Sequence, residues 1–82
     1  MKFRVIPSIV DAIQWTGSDA SFKAIGRLNQ SAVYRTSQGL LIITTKDGDE
    51  RADEGDWVVR GPRGDLYPVR EDIFKQTYEK IN

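Results

Sequence analysis

The sequence contains no cysteine and no histidine among its 82 residues. These absences exclude disulfide bonds, thiolate nucleophiles and imidazole bases, and they remove the ligands of almost every transition-metal site. We therefore expect no metal site and no cofactor. Because most of the usual parts of a catalytic site are also missing, we predict that the protein is not an enzyme.

Net charge is absent as well, since twelve basic residues cancel twelve acidic ones. No long-range field then favours duplex nucleic acid or an anionic membrane, so any anion site must be local. The sequence has no apolar run near the roughly 20 residues that span a bilayer, and its N-terminus is too short for a signal peptide. We expect a soluble, cytoplasmic protein without membrane or duplex nucleic acid partners.

The length and the hydrophobic pattern predict one domain over residues 1–82, of the α+β class. It should have a small, mostly antiparallel sheet, one short early helix and one C-terminal helix. The early helix is expected from about Asp19 to Leu28, with a side-chain cap from Ser18 or Asp19 and a left-handed stop at Asn29. Strands are predicted at 3–5, 10–15, 32–34, 40–45, 50–53, 57–59 and 66–69.

The predicted strand over 40–45 carries four consecutive aliphatic residues, which indicates burial on both faces and a central position in the sheet. Asp47 and Gly48 then predict a primed hairpin turn with positive φ at both positions, followed by a polar edge strand. The last helix should be capped by Glu71 or Asp72. We expect it to lie across the sheet with one apolar face: Ile73, Phe74, Tyr78 and Ile81.

The stretch from Asp47 to Asp56 contains six carboxylates and one arginine, so we compared it with the pattern of a calcium-binding loop. The helix-loop-helix calcium pattern needs glycine at the sixth loop position and glutamate at the twelfth, but counting from Asp47 these hold Ala52 and Val58. Solvated turns and a charged edge strand explain the run better.

Arginines and large aromatic residues form the most informative set in the chain. A guanidinium can pair with phosphate oxygens, and an aromatic ring can stack on a base. The alternative is that Trp and Tyr build the core of a small sheet while Arg covers its rim, and the residues alone favour this alternative. Trp57 is expected in the core. The candidate ligand-binding residues are Arg4, Trp15, Arg60, Arg63, Tyr67 and Arg70.

The order of short motifs resembles a family of small proteins encoded by tailed phages and prophages. The matching pieces lie at both ends of the chain and leave residues 18–53 unmatched. They are Met1-Lys2-Phe3-Arg4, Pro7, Asp11-Ala12-Ile13-Gln14-Trp15-Thr16-Gly17, Gly55-Asp56-Trp57-Val58-Val59, Gly61, Gly64, Tyr67-Pro68, Asp72-Ile73-Phe74 and Tyr78.

This resemblance implies a protein that acts in the cytoplasm of an infected bacterial host. Small phage proteins of this type include anti-CBASS sponges, which sequester cyclic nucleotide immune signals without cleaving them. We therefore expect a cyclic nucleotide as ligand, with an accessory or structural phage protein acting through protein contacts as the alternative. A two-fold interface would suit a ligand with two similar phosphates, so a homo-oligomer, either a dimer or a tetramer, is expected.

Overall fold

The computed structural model describes residues 1–2 and 9–79. Its elements follow the chain as a strand, a helix, five strands and a second helix, with a 3₁₀ turn at Gln30–Ala32. The strands and helices are β1 (Asp11–Gln14), α1 (Asp19–Leu28), β2 (Val33–Arg35), β3 (Leu41–Thr45), β4 (Gly48–Ala52), β5 (Trp57–Arg60), β6 (Leu66–Val69) and α2 (Glu71–Thr77). The strand predicted over 3–5 and the role of Ile81 lie outside the described residues.

The strands form two three-stranded antiparallel sheets, in the orders β1-β5-β6 and β2-β3-β4. The α+β class, the antiparallel pairing and both helices are therefore confirmed, although the strands divide between two sheets. Hydrogen-bond register in the first sheet places Asp11 opposite Arg60 and Tyr67 opposite Val59. Because side chains alternate between faces, this register decides which candidate residues can meet.

The core lies between the two sheets and α1. It contains Trp15, Ile25, Leu41, Ile43, Ala52, Val58 and Leu66, each almost fully buried. Strand β3 is central in its sheet, as predicted. The expectation that both of its faces are buried is wrong, because Leu41 and Ile43 are buried while Ile42 between them is only half-buried. One face of this sheet is therefore left outside the core.

Helix α1 has the predicted bounds, and the reason lies at its first turn. The Ser18 side chain accepts a hydrogen bond from the Ser21 backbone N–H at 3.1 Å, which satisfies one of the free donors of the first turn. The predicted left-handed stop is wrong, since Asn29 has φ −166° and is extended. Its side chain instead donates to the Gly64 carbonyl at 3.1 Å, which ties the end of α1 to the β5–β6 hairpin.

Two predicted details of turns and caps are also corrected. Thr45 pairs with Gly48, so the β3–β4 turn consists of Lys46 and Asp47, and Gly48 alone has positive φ there, at +116°. The β3–β4 turn is therefore not of the primed type that the sequence predicted. The N-cap of α2 is Arg70, which makes no side-chain hydrogen bond there, and not Glu71 or Asp72 as predicted. These two carboxylates lie in the first turn, where they interact favourably with the helix dipole.

Of the two described helices, neither combines the length and the apolar character needed to cross a membrane.

Candidate ligand-binding groove

Arg60 is the candidate residue that lies in a concave surface. It ends β5 on the same face as the buried Val58, because residues two apart on a strand share a face. Its Nη1 donates to the Leu28 carbonyl at 3.3 Å, at the C-terminal end of α1. Its Nη2 forms an ion pair with the Asp11 carboxylate on the neighbouring strand. Arg60 therefore links β1, β5 and α1 at one point.

The groove beside Arg60 has a volume of about 450 Å³ and is open to solvent. Small-molecule sites usually enclose roughly 300–1,000 Å³, and the volume of this groove lies within that range. Its walls combine one cation, one carboxylate, an amide and several apolar or backbone surfaces. The lining residues are Ile9, Val10, Asp11, Leu28, Asn29, Arg60, Gly61, Pro62 and Gly64.

The β5–β6 loop forms one wall of the groove and holds its shape through backbone hydrogen bonds. Gly61 N–H donates to the Asp65 carbonyl at 2.9 Å, and Gly64 N–H donates to the Gly61 carbonyl at 3.0 Å. Gly64 has φ +88°, which disfavours a larger residue there. Arg63 lies between these glycines in the same loop and is exposed. Its neighbours Pro62 and Gly64 line the groove, whereas Arg63 itself is not among the lining residues.

Tyr67 and Arg70 do not join Arg60. Tyr67 pairs with Val59, one residue before Arg60, so its side chain lies on the opposite face of the sheet. Arg70 follows the β6 residue that pairs with Trp57, which is the end of the hairpin away from the loop, and it lies 3.5 Å from the Asp72 carboxylate. Arg4 lies outside the described residues. A single site built from all six residues is thus not what the described chain forms.

Trp15, which the sequence suggested for stacking on a ligand, lies in the core. It is only 2% exposed. The guanidinium carbon of Arg35 lies 5.5 Å from the centroid of its ring and 5.5 Å from that of Phe22. Arg35 also pairs with Asp19 at 2.6 Å. This cation–π contact holds β2 against α1.

Sequence reasoning missed Arg35, although a signal was present. In Val33-Tyr34-Arg35 the strand alternation places Arg35 on the same face as Val33. A long cation on the apolar face of a strand indicates packing against aromatic rings or a buried partner. Arg35 has that structural role.

Four aromatic residues gather on the second face of the first sheet. Trp57 stacks on Phe74 of α2 with ring centroids 4.2 Å apart and an interplanar angle of 4°, and Phe74 stacks on Tyr78 at 4.8 Å. The Tyr78 hydroxyl lies 3.4 Å from that of Tyr67. The pKa of Tyr67 is raised to about 12. The hydrogen bond to Tyr78 is the largest cause, and burial of the hydroxyl is the second. Trp57 is thus half-buried in an aromatic stack rather than in the main core.

The same contacts revise the predicted apolar face of α2. Phe74 and Tyr78 face the aromatic stack, whereas Ile73 is largely exposed. The Trp57 Nε1 is buried, and no acceptor among residues 1–2 and 9–79 lies within hydrogen-bonding distance of it. Trp57 is therefore held in the stack by ring contacts rather than by a hydrogen bond of its indole N–H.

In the groove, the positive charge of Arg60 is partly neutralised by the Asp11 carboxylate. Arg60 and Asp11 are both partly exposed, with 37% and 58% of their side-chain surfaces accessible. An anion that approaches the guanidinium would meet the Asp11 carboxylate beside it. Within the part of the chain that the structure describes, no cluster of three acidic side chains could hold a metal ion. The groove thus offers a guanidinium whose charge is partly neutralised by a neighbouring carboxylate.

Comparison of the chain with protein-family models, with curated proteins and with solved structures gave no match.

Proposed function

We propose that the protein is a phage-encoded binding protein that captures a cyclic nucleotide immune signal and sequesters it without cleavage. The observation that supports this proposal best is the groove beside Arg60, which offers a guanidinium in a concavity of small-molecule size. The phage and nucleotide parts of the proposal come from the resemblance of the sequence motifs. The ligand would bind with a phosphate on Arg60.

The geometry supports a binding mode that differs from stacking on Trp15. A phosphate would pair with Arg60, and the exposed Arg63 would approach a second phosphate from the loop. The apolar lining at Val10 and Pro62 would contact a base or a sugar. The aromatic rings of Trp57 and Tyr67 lie on the other face of the sheet, so they take no part in this mode.

Calorimetric titration with a panel of cyclic mono-, di- and trinucleotides tests the proposal. We expect heat for at least one member at micromolar concentration, and recovery of that nucleotide intact after the complex is heated. Absence of heat for every member at high micromolar concentration would refute nucleotide binding. Recovery of a linearised product would show that the protein is an enzyme instead.

Two arginine variants locate the ligand. Arg60→Gln should weaken binding by about tenfold, because one charge-assisted hydrogen bond to phosphate contributes roughly 1.5–3 kcal/mol and Asp11 already offsets part of it. Arg70→Gln is the matched control, since Arg70 is exposed at the far end of the hairpin, and it should bind like the unaltered protein. Equal losses in both variants would place the ligand elsewhere.

The second candidate is an accessory phage protein that acts through protein contacts. Exposed apolar side chains favour it, notably Ile9, which is 80% exposed, and Ile73, which is 47% exposed. We also propose that the protein is a homo-oligomer, either a dimer or a tetramer, because a two-fold interface would suit a ligand with two similar phosphates. Light scattering at micromolar concentration would then give two or four times the mass of one chain, and a single-chain mass would refute the oligomer.

A further inference from the structure

The Asp11 carboxylate engages the Arg60 guanidinium that a ligand phosphate would use. The two residues are directly opposite one another in the β1–β5 register, so the backbone holds the pair together. Arg60 Nη1 also donates to the Leu28 carbonyl at 3.3 Å. An anion that binds Arg60 therefore either displaces Asp11 or shares the guanidinium with it.

We propose that Asp11 is a specificity-determining residue of this groove, acting as an internal counter-ion with which a ligand phosphate competes for Arg60. This inference rests on the groove of the proposed function. The carboxylate stays in the groove wall and repels the phosphate. Charge alone then brings little affinity, and only a ligand that also packs on the apolar wall near Val10 and Pro62 binds well.

The ligand class follows from this competition. Free phosphate, pyrophosphate and the phosphates of nucleic acid backbones offer charge without apolar surface, so Asp11 disfavours them. A phosphorylated ligand with a base or a similar flat apolar group compensates for the repulsion by Asp11 through burial of that group. Removing the Asp11 charge should convert the groove into a general phosphate site.

Nuclear magnetic resonance titration with inorganic pyrophosphate tests the inference on the full chain. The amide signals of Gly61 and Gly64 report occupancy, because both residues line the groove. Asp11→Asn should bind pyrophosphate about fivefold more tightly than the unaltered protein, the upper end of what an exposed ion pair contributes. Adding Arg60→Gln to Asp11→Asn should abolish this gain.

Asp19→Asn is the matched control, because Asp19 also forms an exposed pair with an arginine, Arg35, outside the groove. It should leave the pyrophosphate affinity unchanged. If Asp11→Asn binds no more tightly than the unaltered protein, or if neither binds, the inference is refuted. The same holds if Asp19→Asn gives an equal gain, because that would reflect net charge alone.

The outcomes separate this inference from the proposed function. Tighter pyrophosphate binding through Arg60 in Asp11→Asn, with no cyclic nucleotide bound by the unaltered protein, would support the counter-ion role and refute the nucleotide ligand. Nucleotide binding by the unaltered protein, without a gain in Asp11→Asn, would refute the counter-ion role alone.

Discussion

Replacing the two tryptophans separately should reveal two different structural roles. Trp15 is 2% exposed and contacts the main core as well as the Arg35 guanidinium. Truncating a fully buried aromatic side chain costs roughly 3–5 kcal/mol, and loss of the cation–π contact adds about 0.5–1 kcal/mol. A small domain is stable by roughly 5–10 kcal/mol, so Trp15→Ala should leave the protein close to unfolding.

Trp57→Ala should be milder, because Trp57 is half-buried and its main partner is the ring of Phe74. Partial burial and one stacked pair together contribute about 2–3 kcal/mol. Urea unfolding followed by far-ultraviolet circular dichroism measures both variants, since tryptophan fluorescence would change with the substitution itself. A loss for Trp57→Ala equal to or greater than that for Trp15→Ala would refute the assignment of Trp15 to the main core.

Three further changes test local features of the fold. Gly26→Ala should raise the free energy of unfolding by about 0.5–1 kcal/mol, because Gly26 is inside α1 and a Cβ there meets no atom within 4 Å; a lower thermal midpoint would contradict this. Ser18→Ala should lower it by about 1 kcal/mol through loss of the cap, and an unchanged urea midpoint would count against the cap. The raised pKa of Tyr67, about 12 against 10 in the unfolded chain, contributes stability that is complete below pH 10 and lost as the pH rises to about 12. Urea unfolding across this range should show less alkaline loss in Tyr67→Phe, and an identical pH profile would refute the contribution.

Local features of the fold were predictable where one short stretch decides them. Helix α1 was predicted with its observed bounds because Ser18 caps it and the apolar spacing ends at Leu28. The hairpins β2–β3, β3–β4 and β5–β6 followed from turn residues between strand-like runs. The division into two sheets was not predictable in this way, because the partner of β1 is β5, which lies more than forty residues further along the chain.

Which candidate residues lie together was also hard to predict, because it depends on how distant strands pair. Trp57 and Arg60 are three residues apart on one strand, and an odd separation already places them on opposite faces. The position of Tyr67 relative to Arg60 depended on the register of β5 and β6, which the loop between them sets. The pairing of Asp11 with Arg60 depended on a contact between distant strands. Residue types suggested the candidate residues, but only the register decides which of them lie on one face.

Strand β5 has a consequence for how the molecule opens. Val58 and Val59 are consecutive and both fully buried, one on each face of the sheet, and β5 hydrogen-bonds to β1 on one edge and to β6 on the other. Its amide protons should therefore exchange with solvent only in global unfolding events, later than those of the outer strands β1 and β6. Detaching β5 would expose both the main core and the aromatic stack at once. We accordingly expect the domain to unfold in a single cooperative step, without a populated half-folded state.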